Sequence, residues 1–137
     1  MKPRFWVILG ALFAAAAVAA GAVSTHVLKE VLELPERDLA TYETAVRYQM
    51  YHSLALVLVG VLSARTKSVW LSAAGAAFFL GIVLFSGGLY AWLASGSTAF
   101  VQVVPLGGLA WIVGWLLVAV GSVRFALVSE AASARDS

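Results

Sequence analysis

The sequence predicts an all-α membrane protein, a bundle of four transmembrane helices with both termini on the cytoplasmic side (N-in/C-in). Three observations carry that expectation. Hydrophobic residues make up 62% of the 137 and charged residues 12%, about half the charged share of a water-soluble chain. The charges are also segregated, with no Asp, Glu, Lys or Arg between Ser68 and Val123. That run is long enough to cross a hydrocarbon layer of about 30 Å twice, at about 20 residues per crossing. Finally, polar punctuation divides the chain into four apolar segments, about 5–28, 36–64, 68–94 and 105–125, within one integral membrane domain spanning residues 1–137.

Composition removes several classes of function. The absence of cysteine excludes structural disulfides, thiol catalysis and thiolate metal sites. The sequence pI near 9.2 carries no nucleic-acid signal, because the basic residues flank apolar segments and form no soluble patch. A mean hydropathy of +0.94 belongs to a chain whose partner is the lipid bilayer.

The first segment, Phe5 to Leu28, follows Lys2 and Arg4. A positive start, an apolar stretch and small residues around Ala17-Val18-Ala19 and Ala20-Gly21-Ala22 also fit a secretory signal peptide. Its length favours a retained helix. So does the stripe Gly10, Ala14, Ala17, Gly21 and Ser24, a small-residue seam that lets helices approach closely in lipid.

Residues 29–42 form the one substantial polar connection, carrying Lys29, Glu30, Glu33, Glu36, Arg37 and Asp38 around Pro35. Pro35 suits the first turn of a second helix, with Glu36 and Asp38 at its positive dipole end. Ser63 to Ser68 is a short basic turn. In the third helix Ala74, Gly81, Gly88 and Ser95 recur every seven residues, a second seam with Ala77 alongside. Ser95-Gly96-Ser97-Thr98 ends it. Residues 99–104 are apolar, but proline fits a helix start better than a helix interior, so the fourth helix is predicted to begin at Pro105. Gly107, Gly114 and Gly121 again repeat by seven, with Ala110 on the same side. Trp111 and Trp115 read as packing or lipid-facing. The tail from Ser129 to Ser137 is small and polar, and is expected to fray.

Orientation follows from basic residues in the short flanks. With four crossings, Lys2, Arg4, Arg65, Lys67, Arg124 and Arg135 share one side, against Lys29, Arg37 and Arg47 on the other. The second group is offset by Glu30, Glu33, Glu36, Asp38 and Glu43. The richer side is therefore predicted to be cytoplasmic.

The densest polar cluster, Thr44 to Ser53, runs straight into the apolar segment Leu54 to Ala64. At 100° per residue, Tyr48, Gln49, His52 and Ser53 share a face that Ala45, Leu56 and Gly60 continue. Glu43, Arg47, Met50 and Leu54 take the other. Polar groups are expensive in hydrocarbon, so the first face should meet other helices. Glu43 and Arg47, spaced i,i+4 with the acid first, predict an interfacial ion pair with a snorkelling arginine.

His26 and His52 are the two histidines. Both fall in the outer half of the bilayer at similar depth, and they can meet if the first two helices are neighbours. Intramembrane ionisable residues are functional candidates, which makes His26, Tyr48, Gln49 and His52 the candidate polar site. The same groups, with Ser24 and Thr25, equally fit hydrogen bonds that hold the bundle together.

Bis-histidine haem ligation needs two imidazoles on facing helices, and nothing else marks a haem pocket. Zinc wants three or four protein ligands, more than two histidines without a buried carboxylate supply. A proton or solute pathway along Tyr48, Gln49 and His52 has no deep Asp or Glu to carry it. For hydrolysis, no serine or aspartate stands in a constellation with a base, and Gly87-Gly88 and Gly107-Gly108 lack the context of a phosphate loop. No catalytic residue, metal or cofactor is expected.

Four blocks carry a family resemblance: Gly21-Ala22-Val23-Ser24-Thr25-His26, Thr44 through Leu56, Phe85-Ser86-Gly87-Gly88-Leu89-Tyr90, and Pro105-Leu106-Gly107-Gly108 through Gly114-Trp115. In this order and over nearly the whole chain, they resemble the signatures of the YgdD-like family, domain of unknown function 423. Members read Gly-Ala-Phe-Gly-Ala-His in the first block, where this chain has Val23-Ser24-Thr25 in the middle. The resemblance implies a four-helix protein of the bacterial inner membrane and brings no established activity. It adds Ser86, Tyr90 and Pro105 to His26, Tyr48, Gln49 and His52 as residues of interest. The function expected is that of a small, non-enzymatic accessory or structural membrane component, packing against itself or a larger membrane complex. The alternative is a small transporter or channel using the polar His/Gln/Tyr site.

Overall fold

The computed structural model describes residues 3–66 and 68–136, with side chains described for all of these except residues 25 and 124–136. Lys2 and Lys67, two of the predicted inner-side cations, lie outside the described residues, as does Ser137. The fold is four helical rods, without a strand among the described residues. Helix α1 is Pro3–Lys29, α-helical over Pro3–Val23 and then wound as a π-helix over Ser24–Lys29. Helix α2 is Glu36–Arg65. Helix α3 is Val69–Ser95, interrupted by a π-helical turn at Ile82–Ser86. Helix α4 is Ala99–Asp136, with Ala99–Val123 as its apolar part. All four are long and apolar enough to cross a membrane.

Local chemistry sets the ends of the rods. Pro35, extended at φ −51° and ψ 141°, stands just ahead of α2, and its carbonyl accepts from the amides of Asp38 and Leu39 at 2.9 and 3.0 Å. Glu36 and Asp38 then occupy the first turn, where carboxylates are favoured by the helix dipole. Ser68 caps α3 by accepting from the Leu71 N–H at 3.5 Å. At the far end Gly96 adopts φ 70° and its N–H returns to the Trp92 carbonyl at 2.7 Å, a left-handed cap that glycine takes without steric cost.

One boundary differs from the sequence reading. Helix α4 begins at Ala99, so Pro105 sits inside it. Proline there leaves one carbonyl without its intrahelical N–H. Yet residues 99–104 are apolar apart from Gln102, and in hydrocarbon a helix is the form that satisfies their remaining backbone groups. At the other end, the tail read as frayed continues the helix to Asp136.

Helix α1 lies along α2, α3 lies along α4, and α2 packs against α3. The seams explain the pairing. Gly107, Gly114 and Gly121 of α4 face Phe85, Phe78 and Leu71 of α3 in antiparallel order. Three large side chains spaced by seven thus fill three holes spaced by seven, a knob-in-hole register. Between α1 and α2, Gly10 lies under the Ser53 carbonyl and Val57, and Gly60 lies against Val7 and Pro3. Trp6 covers Gly75 and Trp111 covers Gly81. The small-residue stripes are therefore used inside the bundle. Large apolar side chains such as Leu12, Val18, Leu109, Ile112 and Leu116 point outward, as they do where lipid is the solvent.

Candidate functional site

Helix α2 presents Ala45, Gln49, His52, Ser53, Leu56, Val59 and Gly60 to the interior, while Glu43, Arg47 and Leu54 are exposed. Its polar members each find a main-chain carbonyl. Gln49 Nε2 donates to the Phe13 carbonyl of α1 at 2.9 Å. Ser53 Oγ donates back one turn to the Gln49 carbonyl at 2.6 Å. From α3, Ser86 Oγ donates to the Ala45 carbonyl at 2.9 Å. The π-turn that closes at Ser86 helps here, because an added residue per turn re-aims the side chains that follow it.

His52 is 6% exposed. Its imidazole lies flat on the Trp111 indole, centroids 3.7 Å apart and planes parallel. Tyr48, one turn earlier, lies almost parallel to the same indole at 5.6 Å, although 39% of it remains exposed. Phe78 and Phe85 of α3 close the cluster, at 5.9 Å from His52 and 4.7 Å from Trp111. Trp111 Nε1 donates to the Phe78 carbonyl at 3.3 Å. His52 Nδ1 lies 2.9 Å from the Tyr48 carbonyl. A carbonyl can only accept, so Nδ1 carries the proton and the lone pair of the neutral ring is on Nε2.

The structure separates other residues that the sequence placed in one site. His26 lies in the π-helical end of α1, well exposed, with Nδ1 3.6 Å from Glu30. His52 is surrounded by Tyr48, Phe78, Trp111 and Trp115. The two imidazoles belong to different environments, so the geometry for bis-histidine haem ligation is not formed. Among the described residues, no group of three or more His, Cys, Asp or Glu could hold a metal ion.

Glu43 and Arg47 do not close an ion pair among the described residues. Glu43 Oε1 instead accepts from Ser24 Oγ of α1 at 3.4 Å. With the carboxylate turned toward α1, the exposed guanidinium is free to reach the interface. Gly21, Ser24, Glu43, Val46 and Arg47 line a small cleft of about 240 Å³ there. Tyr90 packs its ring 5.2 Å from Tyr42, and its buried hydroxyl has no hydrogen-bond partner among the described residues.

Sequence reasoning missed Phe78, Phe85 and the central place of Trp111. The signal was present as the heptad Leu71, Phe78, Phe85 standing opposite the heptad Gly107, Gly114, Gly121.

The fold and this interior define a polytopic four-helix membrane protein in which Gln49, His52, Ser53 and Ser86 hydrogen-bond between and within its own helices. The chain belongs to the family described as "Protein of unknown function (DUF423)", whose model matches residues 20–108. It is similar to a UPF0382 membrane protein of Staphylococcus haemolyticus, 38% identical over 122 residues that cover 89% of this chain and 98% of the relative. It is also similar to the UPF0382 membrane protein YwdK of Bacillus subtilis, 36% identical over 89% of this chain and 98% of that one. The UPF0382 inner membrane protein YgdD of Escherichia coli K12 is 35% identical, over 90% of this chain and 93% of its own length. No solved structure matches the chain.

Proposed function

We propose that this protein is a non-enzymatic structural or accessory component of the inner membrane, oriented N-in/C-in, which works by packing against itself or a larger membrane complex. The observation that carries the reading is the fate of the deep polar groups. Gln49, His52, Ser53 and Ser86 each hydrogen-bond a main-chain carbonyl of the bundle. Gln49 and Ser86 do so across to a neighbouring helix and hold the helices in register. His52 and Ser53 do so one turn back within α2, and a transport path would need all four free to exchange partners with a solute. The orientation rests on the six basic residues of the terminal and Arg65 side against three on the other.

The test is flux and topology together. Proteoliposomes loaded with a pH-sensitive dye and potassium should show no proton or potassium movement above empty vesicles, for the natural sequence and for His52→Ala alike. Flux that His52→Ala abolishes, with the helices still folded, would overturn the proposal in favour of transport. A reporter on the C-terminus should be active in the cytoplasm; activity confined to the outside would reverse the orientation.

A further inference from the structure

At the end of the bundle where α1 starts and α2 finishes, a groove of about 720 Å³ runs between the two helices. Its mouth carries Arg4 and Arg65, and its walls are built from Val7, Ile8, Gly60 and Val61. We propose that this groove seats an anionic phospholipid, with its phosphate between the two guanidinium groups and one acyl chain along the apolar wall.

The groove follows from the helix contact beside it. A Cβ at position 60 would stand 2.8 Å from the Val7 amide and 3.0 Å from the Pro3 carbonyl, so glycine there lets the two backbones touch. On the outer side of that contact lies a shelf, floored by exposed Ile8 and Val61. In a membrane-spanning pair such a shelf lies among acyl chains, and lipid is its natural filler.

The charge specifies which lipid. The amino end of α1 and the carboxyl end of α2 lie side by side, so their opposite dipole ends offset one another. What remains is two guanidiniums, both exposed. Neither has an ion-pair partner among the described residues, and no acidic side chain lines the groove. A guanidinium is a charged donor to phosphate oxygens, and basic residues at the membrane surface attract anionic headgroups. A zwitterionic headgroup brings its own ammonium against the two arginines. A second copy docked symmetrically would bring two more arginines to the same place. An anionic phospholipid satisfies both the walls and the mouth.

Native mass spectrometry of the detergent-purified full chain, with added phosphatidylglycerol or phosphatidylcholine of equal chain length, tests this. Phosphatidylglycerol should be retained preferentially. Arg4→Gln with Arg65→Gln should weaken it roughly fivefold per arginine and about twenty-fivefold together, while Arg4→Lys with Arg65→Lys keeps most of the binding. Ala64→Trp, at an exposed position on the groove wall, should block the acyl chain while leaving the thermal melt unchanged. If the glutamine pair melts early, the lysine pair and Ala64→Trp still decide. Equal retention of the two lipids overturns the proposal. So does indifference to Ala64→Trp, competition by soluble glycerol phosphate as strong as by the lipid, or cross-links that place a second copy of the chain in the groove.

Discussion

Two adjacent glycines of α4 test whether close backbone approach holds α3 to α4. A Cβ at Gly107 would lie 2.5 Å from the Phe85 amide nitrogen and 2.8 Å from its Cβ, whereas one at Gly108 meets nothing within 4 Å. Ordinary contact begins near 3.4 Å, so Gly107→Ala is about 0.9 Å short (3.4 − 2.5). The obstructing atoms are backbone and cannot swing aside. The helices must separate, losing dispersion along their line of contact, and overpacking of this kind costs about 1–3 kcal/mol. Alanine recovers about 0.8–1.0 kcal/mol through helix propensity at either position. Gly107→Ala should therefore destabilise by up to about 2 kcal/mol and Gly108→Ala should be neutral or stabilise by up to about 1 kcal/mol. Propensity cancels between the neighbours, so they should differ by the overpacking cost, about 1–3 kcal/mol. Reversible unfolding in mixed micelles, followed by circular dichroism against the mole fraction of sodium dodecyl sulfate, measures that difference. If Gly107→Ala unfolds at or beyond the midpoint of Gly108→Ala, the close-approach reasoning is wrong.

Three further substitutions read the interior in the same assay. Ser86→Ala removes the donor to the Ala45 carbonyl and should cost about 0.6 kcal/mol, at most about 1.7, the range measured for hydrogen bonds between membrane helices. Tyr90→Phe removes a buried hydroxyl that has no partner, so the midpoint should hold or rise; a fall of about 1 kcal/mol would show that the hydroxyl is satisfied. His26→Ala, at an exposed position paired with exposed Glu30, should stay within about 0.5 kcal/mol of the natural sequence. A larger loss would show that the first histidine supports the bundle after all.

What the sequence disclosed and what it hid divide along a physical line. Hydrophobic length and small-residue periodicity are additive along the chain, so the four rods and their seams could be read directly. The inward turn of Gln49, His52 and Ser53 could be read too, because burying polar groups away from lipid is a rule of period and environment. The partners across the interface were harder. Gly107, Gly114 and Gly121 announce a groove without saying what fills it, and Phe78 and Phe85 are ordinary apolar residues until α3 is laid antiparallel beside α4. The π-turns at Ser24–Lys29 and Ile82–Ser86 carry no composition signal, yet they alter which side chains follow the seam. His26 was placed by depth alone, and depth fixes the level of a residue in the membrane without fixing its direction. Pro105 shows the opposite failure. A local rule about proline was sound in water and was outweighed in lipid, where the six largely apolar residues ahead of it need their backbone paired.

Three of the side-chain donors that cross between helices share one acceptor type, and this links them to the glycines. Gln49, Ser86 and Trp111 all donate to main-chain carbonyls on a neighbouring rod. A helical carbonyl keeps a second lone pair after accepting its own i+4 amide, and a short or rigid donor reaches it where the rods come close. Gly81 shows the dependence, because a Cβ there would run into the Trp111 ring. Gly81→Ala must push the indole away, stretching a bond to Phe78 that is already 3.3 Å long and disturbing the 3.7 Å stack on His52. Part of its cost is therefore the lost ring contact, and that part vanishes if the imidazole is already gone. In a double-mutant cycle, Gly81→Ala should cost about 0.5–1.5 kcal/mol less in the His52→Ala background than alone. Strictly additive costs would mean that Trp111 moves without disturbing His52, and that the stacked rings are neighbours without being coupled.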